Sequence, residues 1–594
     1  MARQYRVVDH IVEHLAVTGV DYIFGVDGAN IEDLYDAAHF RGDITAILAK
    51  HEFSAATMAD GCSRGGTALG VVAATSGGGS LNLVAGLGES FTSRVPVLAL
   101  VGQPPTTLDG RGSFQDTSGH NGSLNAEVLF SAVSVYCRRV TTPEDIISAL
   151  PEALAAARTG GPAVLLLPKN IQQGSVAMNG CVVDNGSVVP NGSGAVNGRA
   201  HGNAEQMRGR LGNPHPIARA LRRADGPITI IAGEQVARDD ARAELERLRA
   251  VLRARVATVP DAKDVAGTPG MGSSSALGVT GVMGHPGVTA AVADSGLCLL
   301  VGTRMTVTAR TGLEDALASV PTISIGSAPP YLPCTHVHTD DLRGSLSLLT
   351  RQLSGRGRPT RMRVPDMVAR TELQPPACDG PGVRYRDAMT VLDAALPDGV
   401  DVVVDAGNTG AAAIHHLPVR RGGRFLVALG MGGMGYSFGA GIGMAFARGR
   451  RTVVIAGDGA FYMHGMEIHT ALQYRLPVTF VLFDNHAHAM CLTREQLLYD
   501  DLYTYNRFGP SNLGAGLTAM FPGLPSVDVA DIDQLPAAVK SALDVDGPSV
   551  ISLECAADEV PPFAPFLTKA VTGTPRTNHL PKTKEHHSHV TINA

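Results

Sequence analysis

Tryptophan is absent from the 594 residues, and so is any long uncharged apolar run. A membrane-spanning helix needs roughly 18 or more consecutive apolar residues, so the chain is expected to stay out of membranes. The opening Met1-Ala2-Arg3-Gln4-Tyr5 lacks the apolar stretch of a signal peptide. No basic stripe offsets the net charge of −6, which argues against a nucleic-acid partner. The eight cysteines are scattered without a CxxC pair. That argues against a zinc cluster or a disulfide framework and points to reduced thiols in the cytoplasm.

Apolar residues make up 44% of the chain and charged residues 18%, the balance of a packed globular protein. The length exceeds what one core can serve, so about three domains are expected. Short β-rich runs at 22–26, 44–49, 69–75 and 95–101 alternate with helical patterns at 30–39, 53–62 and 81–91. Such alternation predicts a doubly wound parallel sheet with helices on both faces. Residues 179–213 are rich in Gly, Asn and Ser, and 354–380 in Pro, Gly and Arg; both read as linkers. Between them the clearest strands are 228–232 and 297–301, and beyond them 402–404, 452–455 and 478–483. The expected architecture is three such α/β domains, at 1–178, 214–355 and 381–568. Linkers at 179–213 and 356–380 would join them, with a polar tail at 569–594.

The segment 452–485 carries the most chemistry. A buried-type strand stops at Gly457-Asp458-Gly459, and a helix is expected next, with Ile468, Ala471, Leu472 and Leu476 on one face. Pro477 ends it, and the following strand stops at Asp484-Asn485. Asp458 and Asn485 thus fall at the carboxyl ends of neighbouring parallel strands, where open α/β sheets bind ligands. A carboxylate, an amide oxygen and a backbone carbonyl near Ala487 suit Mg²⁺, which wants oxygen ligands and shares them with phosphates. Gly-Asp-Gly alone would equally suit a plain strand–turn–helix; Asn485 at the next strand end favours the metal.

From Gly457 to Asn485 the chain resembles the thiamine-diphosphate motif shared by acetohydroxyacid synthases, pyruvate decarboxylases and benzaldehyde lyases. Glu467-Ile468-His469-Thr470-Ala471 is similar to a piece inside that motif, and Asp484 stands where the family has the first of two Asn. Lys50-His51-Glu52, with the helix pattern after it, resembles the family's activating glutamate. Gly430-Met431-Gly432-Gly433-Met434-Gly435 resembles the turn whose methionine bends the cofactor. Thr75-Ser76-Gly77-Gly78-Gly79 with Asn82, Gly28-Ala29-Asn30 and Gly112-Ser113-Phe114-Gln115-Asp116 are similar to further family turns.

The resemblance implies thiamine diphosphate and Mg²⁺, with Glu52 and Gln115 catalytic. In that family the glutamate hydrogen-bonds the cofactor's aminopyrimidine and favours the tautomer that deprotonates the thiazolium. The implied cofactor contacts are Gly28, Glu52, Ser76, Asn82, Gly433, Met434, Gly457, Asp458, Gly459, Ala460, Asn485, Ala487 and Met490. Asp458, Asn485 and Ala487 would hold the metal. Asn30, Phe114, Gln115, His120 and His488 would line the substrate pocket, and His464 and His486 lie nearby in sequence. The first domain would bind the pyrimidine and the third the diphosphate, in a homodimer or homotetramer with sites at subunit interfaces.

The middle domain of such proteins holds FAD, ADP or nothing. Arg304 and Arg310 match positions that approach a flavin diphosphate, so FAD is left open here. Two departures weigh against it: Ile323-Ser324-Ile325-Gly326-Ser327 lacks the usual acid, and Ala232-Gly233-Glu234-Gln235 lacks a second glycine. The implied reaction is decarboxylation of a pyruvate-like 2-oxo acid with acyl-anion transfer to a carbonyl acceptor, as in acetolactate formation. A simple decarboxylase or C–C lyase, a cyclic diketone hydrolase, and a non-catalytic homologue are the alternatives. The missing tryptophan, which acetohydroxyacid synthases usually place at the pocket mouth, favours a specialised carboligase.

Overall fold

The computed structural model describes residues 3–66, 68–178, 181–184, 187–190, 210–266, 276–355, 370–502 and 505–572. Three six-stranded parallel sheets follow one another along the chain, the doubly wound α/β architecture that the alternation predicts. The first sheet uses Tyr22–Val26, Thr45–Leu48, Gly70–Ala74, Val97–Gln103, Tyr136–Arg139 and Pro162–Pro168. The third uses Asp401–Val404, Phe425–Val427, Thr452–Gly457, Val478–Asp484, Ser526–Val529 and Ser549–Glu554. Counted in chain order, both have the spatial order 2-1-3-4-6-5. The middle sheet, built around Ile228–Ala232 and Leu297–Val301, has the order 3-2-1-4-5-6.

The strands are where burial on both faces demands them. Gly70–Ala74, Val97–Gln103 and Val478–Asp484 are buried at every position, which explains their continuous apolar text. Tyr136–Arg139 and Ser526–Val529 lie at sheet edges. Their sequences, YCRR and SVDV, carry the polar residues that edges need, and so no apolar run announces them.

The single helix expected after Gly457-Asp458-Gly459 is instead broken. Asp458–His464 is α-helical, Gly465–Glu467 is a 3₁₀ turn, and Ile468–Gln473 resumes the helix. A side chain at Gly465 would lie 2.2 Å from the Phe461 ring, so the turn folds back on its own aromatic. The last helix stops at Gln473, short of Leu476 and Pro477.

The first and third units share one hydrophobic cluster, in which Phe24, Met58 and Leu87 join Phe438, Phe461 and Phe480. Its centre is the crossing of helix Glu52–Gly65 over helix Tyr436–Arg448. Glycine permits the approach. An added Cβ would sit 2.2 Å from the Ala440 carbonyl oxygen at Gly61 and 1.9 Å from the Met58 carbonyl oxygen at Gly443.

The middle unit has its own core and is tied to the third by polar contacts. Buried Lys263 donates to the carbonyls of Ala413, Ile414 and Leu417, ending helix Asn408–His416. His285 and His415 stack at 4.5 Å. The amide of Val279 donates to His285 Nδ1 at 3.0 Å, and that of Leu373 to His415 Nε2 at 3.1 Å. Both rings therefore accept a hydrogen bond at a nitrogen that protonation to imidazolium would turn into a donor.

Part of the expected linker, Cys181–Asp184 and Ser187–Pro190, pairs as an antiparallel ladder; most of 179–213 lies outside the described residues. The same holds for 356–369 and 573–594, and the expected tail from 569 opens inside helix Ala564–Thr572.

Burial pushes the imidazoles of His285, His415 and His416 down to about 2, about 4 and about 3. Above pH 6.5 these rings are neutral whether the chain is folded or not. Below it only the unfolded chain gains their protons, so stability is lost as pH falls from 6.5 toward 4. The melting temperature should drop between pH 7 and pH 5; a flat profile by calorimetry would contradict the neutral stack.

Candidate active site

Asp458 opens helix Asp458–His464 directly after strand Thr452–Gly457 and is buried. Its Oδ1 accepts from the Gly459 amide at 2.9 Å, and its Oδ2 accepts from the Ala487 amide at 3.2 Å. The Ala487 amide also lies 3.1 Å from Asn485 Oδ1. Two side-chain oxygens from adjacent strand ends therefore converge on one N–H. The Asn485 Nδ2 donates to the Tyr385 hydroxyl at 3.3 Å, which turns the amide oxygen toward Asp458.

Asp484 joins this group, a residue the sequence reading set aside in favour of Asn485. Ligand atoms of Asp458, Asp484 and His486 all lie within 4.8 Å of one another. The Nδ1 of His486 is 3.0 Å from Asp484 Oδ1, and its Nε2 is 3.4 Å from Glu554 Oε1. Burial, with Asp484 close by, pushes the Asp458 carboxyl up to about 8. Two buried carboxylates this close are mutually unfavourable unless a proton or a cation stands between them. The set of Asp458, Asn485 and the Ala487 backbone is all hard oxygen, so it fits a small divalent ion.

Three predicted residues meet over the start of the helix. A Cβ at Gly459 would lie 2.6 Å from His488 Nδ1 and 3.2 Å from Met434 Cε. Glycine there leaves room above the helix N-terminus, where backbone amides favour an anion. The His488 Nδ1 is buried without a hydrogen-bond partner, and its ring stands edge-on to Phe508 at 4.7 Å. Gly433 backs onto the ring of Phe53, the neighbour of Glu52. Ala460 is buried within the first turn of the helix, and Met490 is half-buried in helix Ala489–Tyr499.

Glu52 is buried as the first residue of its helix, and its Oε2 accepts from Asn82 Nδ2 at 2.9 Å. A Cβ at Gly79 would stand 2.9 Å from Oε1, so glycine keeps the other oxygen clear. Asn30 Nδ2 donates to Ser76 Oγ at 2.7 Å, and Ser76 and Thr75 both donate to Gln115 Oε1 at 3.4 Å. Gln115 takes a φ of 61°, a left-handed conformation that costs a non-glycine residue energy and is common where side chains are aimed for function. Gly28 lies against Thr75, where a Cβ would approach to 2.8 Å. Asn30, Ser76, Gln115 and Gly28 thus form one network. Phe114 (79% exposed) and His120 stand outside it, on the surface.

The middle unit does not fit a flavin. Its strand order is that of dinucleotide-binding sheets, whose ligand lies across the strand ends at the crossover. Here buried Gln235 fills that position. Its Oε1 accepts from the Ser327 amide at 2.7 Å, and its Nε2 donates to the Thr339 carbonyl at 3.2 Å. Arg304 lies 4.3 Å over the Tyr331 ring, and Arg310 donates to the carbonyls of Met305 and Tyr331. A separate cleft of about 1570 Å³ runs between all three units. Several of its arginines are committed to acids: Arg64 to Asp60, Arg242 and Arg424 to Asp264, Arg448 to Asp401.

Three family models match the chain. The thiamine pyrophosphate enzyme N-terminal TPP binding domain covers residues 5–122, the central domain 215–348, and the C-terminal TPP binding domain 405–553. A probable acetolactate synthase large subunit of Methanocaldococcus jannaschii is 26% identical over 573 residues, covering 93% of each chain. The acetolactate synthase isozyme 2 large subunit of Escherichia coli is 28% identical over 572 residues, or 93% of this chain and 97% of that protein. A solved benzoylformate decarboxylase from Polynucleobacter necessarius superposes with a TM-score of 0.75 at 18% identity, over 94% of this chain and 100% of that one. At that identity it speaks for the fold.

The Gln235 wedge has a direct readout. The purified protein should show no flavin absorbance and no heat of ADP binding in titration calorimetry. Stoichiometric flavin would show that the wedge is displaced.

Proposed function

Because the chain belongs to the thiamine pyrophosphate enzymes, we propose that it decarboxylates a 2-oxo acid and joins the acyl fragment to a carbonyl acceptor. The observation that carries this reading is that Glu52, and Asp458 with Asn485, stand buried just past strand ends in two units packed through one core. Nine-tenths coverage of acetolactate synthases supports the carboligase reading over plain decarboxylation.

Thiamine diphosphate, when bound, supplies the carbon nucleophile and the electron sink that cleavage beside a keto group requires. Asp458, Asn485 and the Ala487 carbonyl would hold Mg²⁺ and through it the diphosphate, with the start of helix Asp458–His464 facing the same anion. Met434 and His488 wall the space above Gly459. Glu52 keeps one oxygen bonded to Asn82 and the other free to hold or pass a proton at the pyrimidine. Asn30 and Gln115, joined through Ser76, would orient the substrate carbonyls. An amide at Asn30 can direct a carbonyl but carries no titrating proton.

Apolar side chains stand exposed around these edges, among them Phe114 (79%), Met431 (64%) and Met463 (49%). They support a second copy covering the site, in a homodimer or homotetramer. Seven of the eight cysteines are free, which suits a reducing, cytoplasmic setting. No helix among the described residues is long and apolar enough to cross a membrane.

Incubation with pyruvate and other 2-oxo acids, read by mass spectrometry, should give coupled ketols in excess of free aldehyde. Aldehyde alone would leave a decarboxylase. Glu52→Gln should keep its cofactor and lose roughly 10²–10⁴-fold in turnover, the range for a lost proton-transfer group; full activity would remove Glu52 from the chemistry. Asp458→Ala should raise the Mg²⁺ concentration needed for cofactor retention by at least about tenfold. An unchanged Mg²⁺ titration would move the cation elsewhere.

A further inference from the structure

Two buried carboxylates reach across the boundary between the first and third units, each gripping the loop that carries the other unit's cofactor-facing residue. Glu467, 1% exposed, accepts from the amides of Lys50 at 2.8 Å and His51 at 3.1 Å through Oε1. Its Oε2 accepts from Thr470 Oγ1 at 2.7 Å. Those two amides immediately precede Glu52. In the opposite direction Glu89, 2% exposed, accepts from the amides of Met431 at 2.6 Å, Gly430 at 3.3 Å and Gly432 at 3.4 Å. Those amides precede Gly433 and Met434.

The two grips correspond by topology. Both sheets share one strand order, and Glu89 and Glu467 each sit between the third and fourth strands of their own sheet. Each gripped loop lies between the second strand and the next helix of the other sheet. The helices that follow are the pair that cross through Gly61 and Gly443. A buried carboxylate is costly unless its oxygens are satisfied, and charge-assisted bonds to backbone amides are short and directional. A carboxylate here fixes the peptide planes of the facing loop, which a side-chain contact would not.

We propose that Glu467 and Glu89 are reciprocal positioning residues. Glu467 would set where Glu52 points, and Glu89 would set where Gly433 and Met434 point, each acting from the facing unit of the same chain. The interrupted helix serves this arrangement: the 3₁₀ turn Gly465–Glu467 delivers the Glu467 side chain to the Lys50–His51 peptide. The proposal rests on the thiamine-diphosphate reading for its catalytic consequence, though not for the grip itself.

The test uses the full-length protein and two readouts. In the cofactor-free protein, hydrogen–deuterium exchange should accelerate in segment 48–54 for Glu467→Ala and in segment 429–435 for Glu89→Ala. Glu467→Gln, which keeps one acceptor oxygen, should exchange close to wild type. With thiamine diphosphate and Mg²⁺ added, exchange of the cofactor C2 proton, followed by NMR, should slow by about ten- to a hundredfold in Glu467→Ala and recover in Glu467→Gln. A central-core variant with a similar loss of melting temperature, Leu349→Ala, should leave C2 exchange unchanged.

Unchanged amide exchange in 48–54 for Glu467→Ala would overturn the grip. Normal C2 exchange despite a loosened loop, or equal slowing in Leu349→Ala, would overturn the positioning role. If Glu467→Ala does not fold, Glu467→Asp, whose carboxylate is withdrawn by one methylene, is read on the same scales. A wild-type protein that binds no thiamine diphosphate would end the cofactor assignment, while amide exchange would still decide the grips.

Discussion

The crossing of helix Glu52–Gly65 over helix Tyr436–Arg448 governs how the rest of the molecule can be arranged. Each helix begins at the carboxyl edge of a parallel sheet, where side chains for ligand chemistry collect. Bringing the two helices together brings those edges together. The contact is made of backbone against backbone at Gly61, Gly439 and Gly443, and close packing leaves no slack for a methyl group. Had side chains separated the helices, Phe53 could not lie against Gly433, and the Glu52 turn would sit farther from Met434.

The buried acids around this crossing share one logic. Asp60 accepts from the Tyr436 hydroxyl at 2.5 Å and from Ser90 at 2.7 Å, and pairs with Arg64. Asp405 accepts from the amides of Gly435 at 3.0 Å and Ser437 at 2.9 Å. These carboxylates are satisfied by protein donors and act as fixed acceptors. Asp458 and Asp484 differ in lying close to each other. That contrast separates the framework acids from a pair of neighbouring carboxylates, whose mutual repulsion suits a cation.

The middle unit shows that a strand order and the side chains at its ligand edge are set separately. The sheet has the order of dinucleotide-binding domains, yet Gln235 occupies the crossover with three side-chain hydrogen bonds. Lys263 and His285 of this domain secure the third unit. Architecture and binding are separable because the ligand depends on a few side chains at one edge, whereas the sheet depends on its core.

The sequence by itself determined the architecture and singled out the residues of the candidate site. Continuous apolar runs broken by turns specify buried parallel strands, and Gly457-Asp458-Gly459 with Asn485 marks two adjacent strand ends in local text. Polar edge strands such as Tyr136–Arg139 were not legible, because an edge needs no apolar periodicity. Nor was the break at Gly465, where the apolar spacing of a helix continues through the 3₁₀ turn. Tertiary structure alone decided that Asp484 stands with Asp458, that Gln235 fills the nucleotide crossover, and that Glu467 and Glu89 reach into facing loops more than 300 residues away. A carboxylate reads the same in sequence whether it meets water, a cation or a distant peptide. Only the packing of one unit on another supplies its partner.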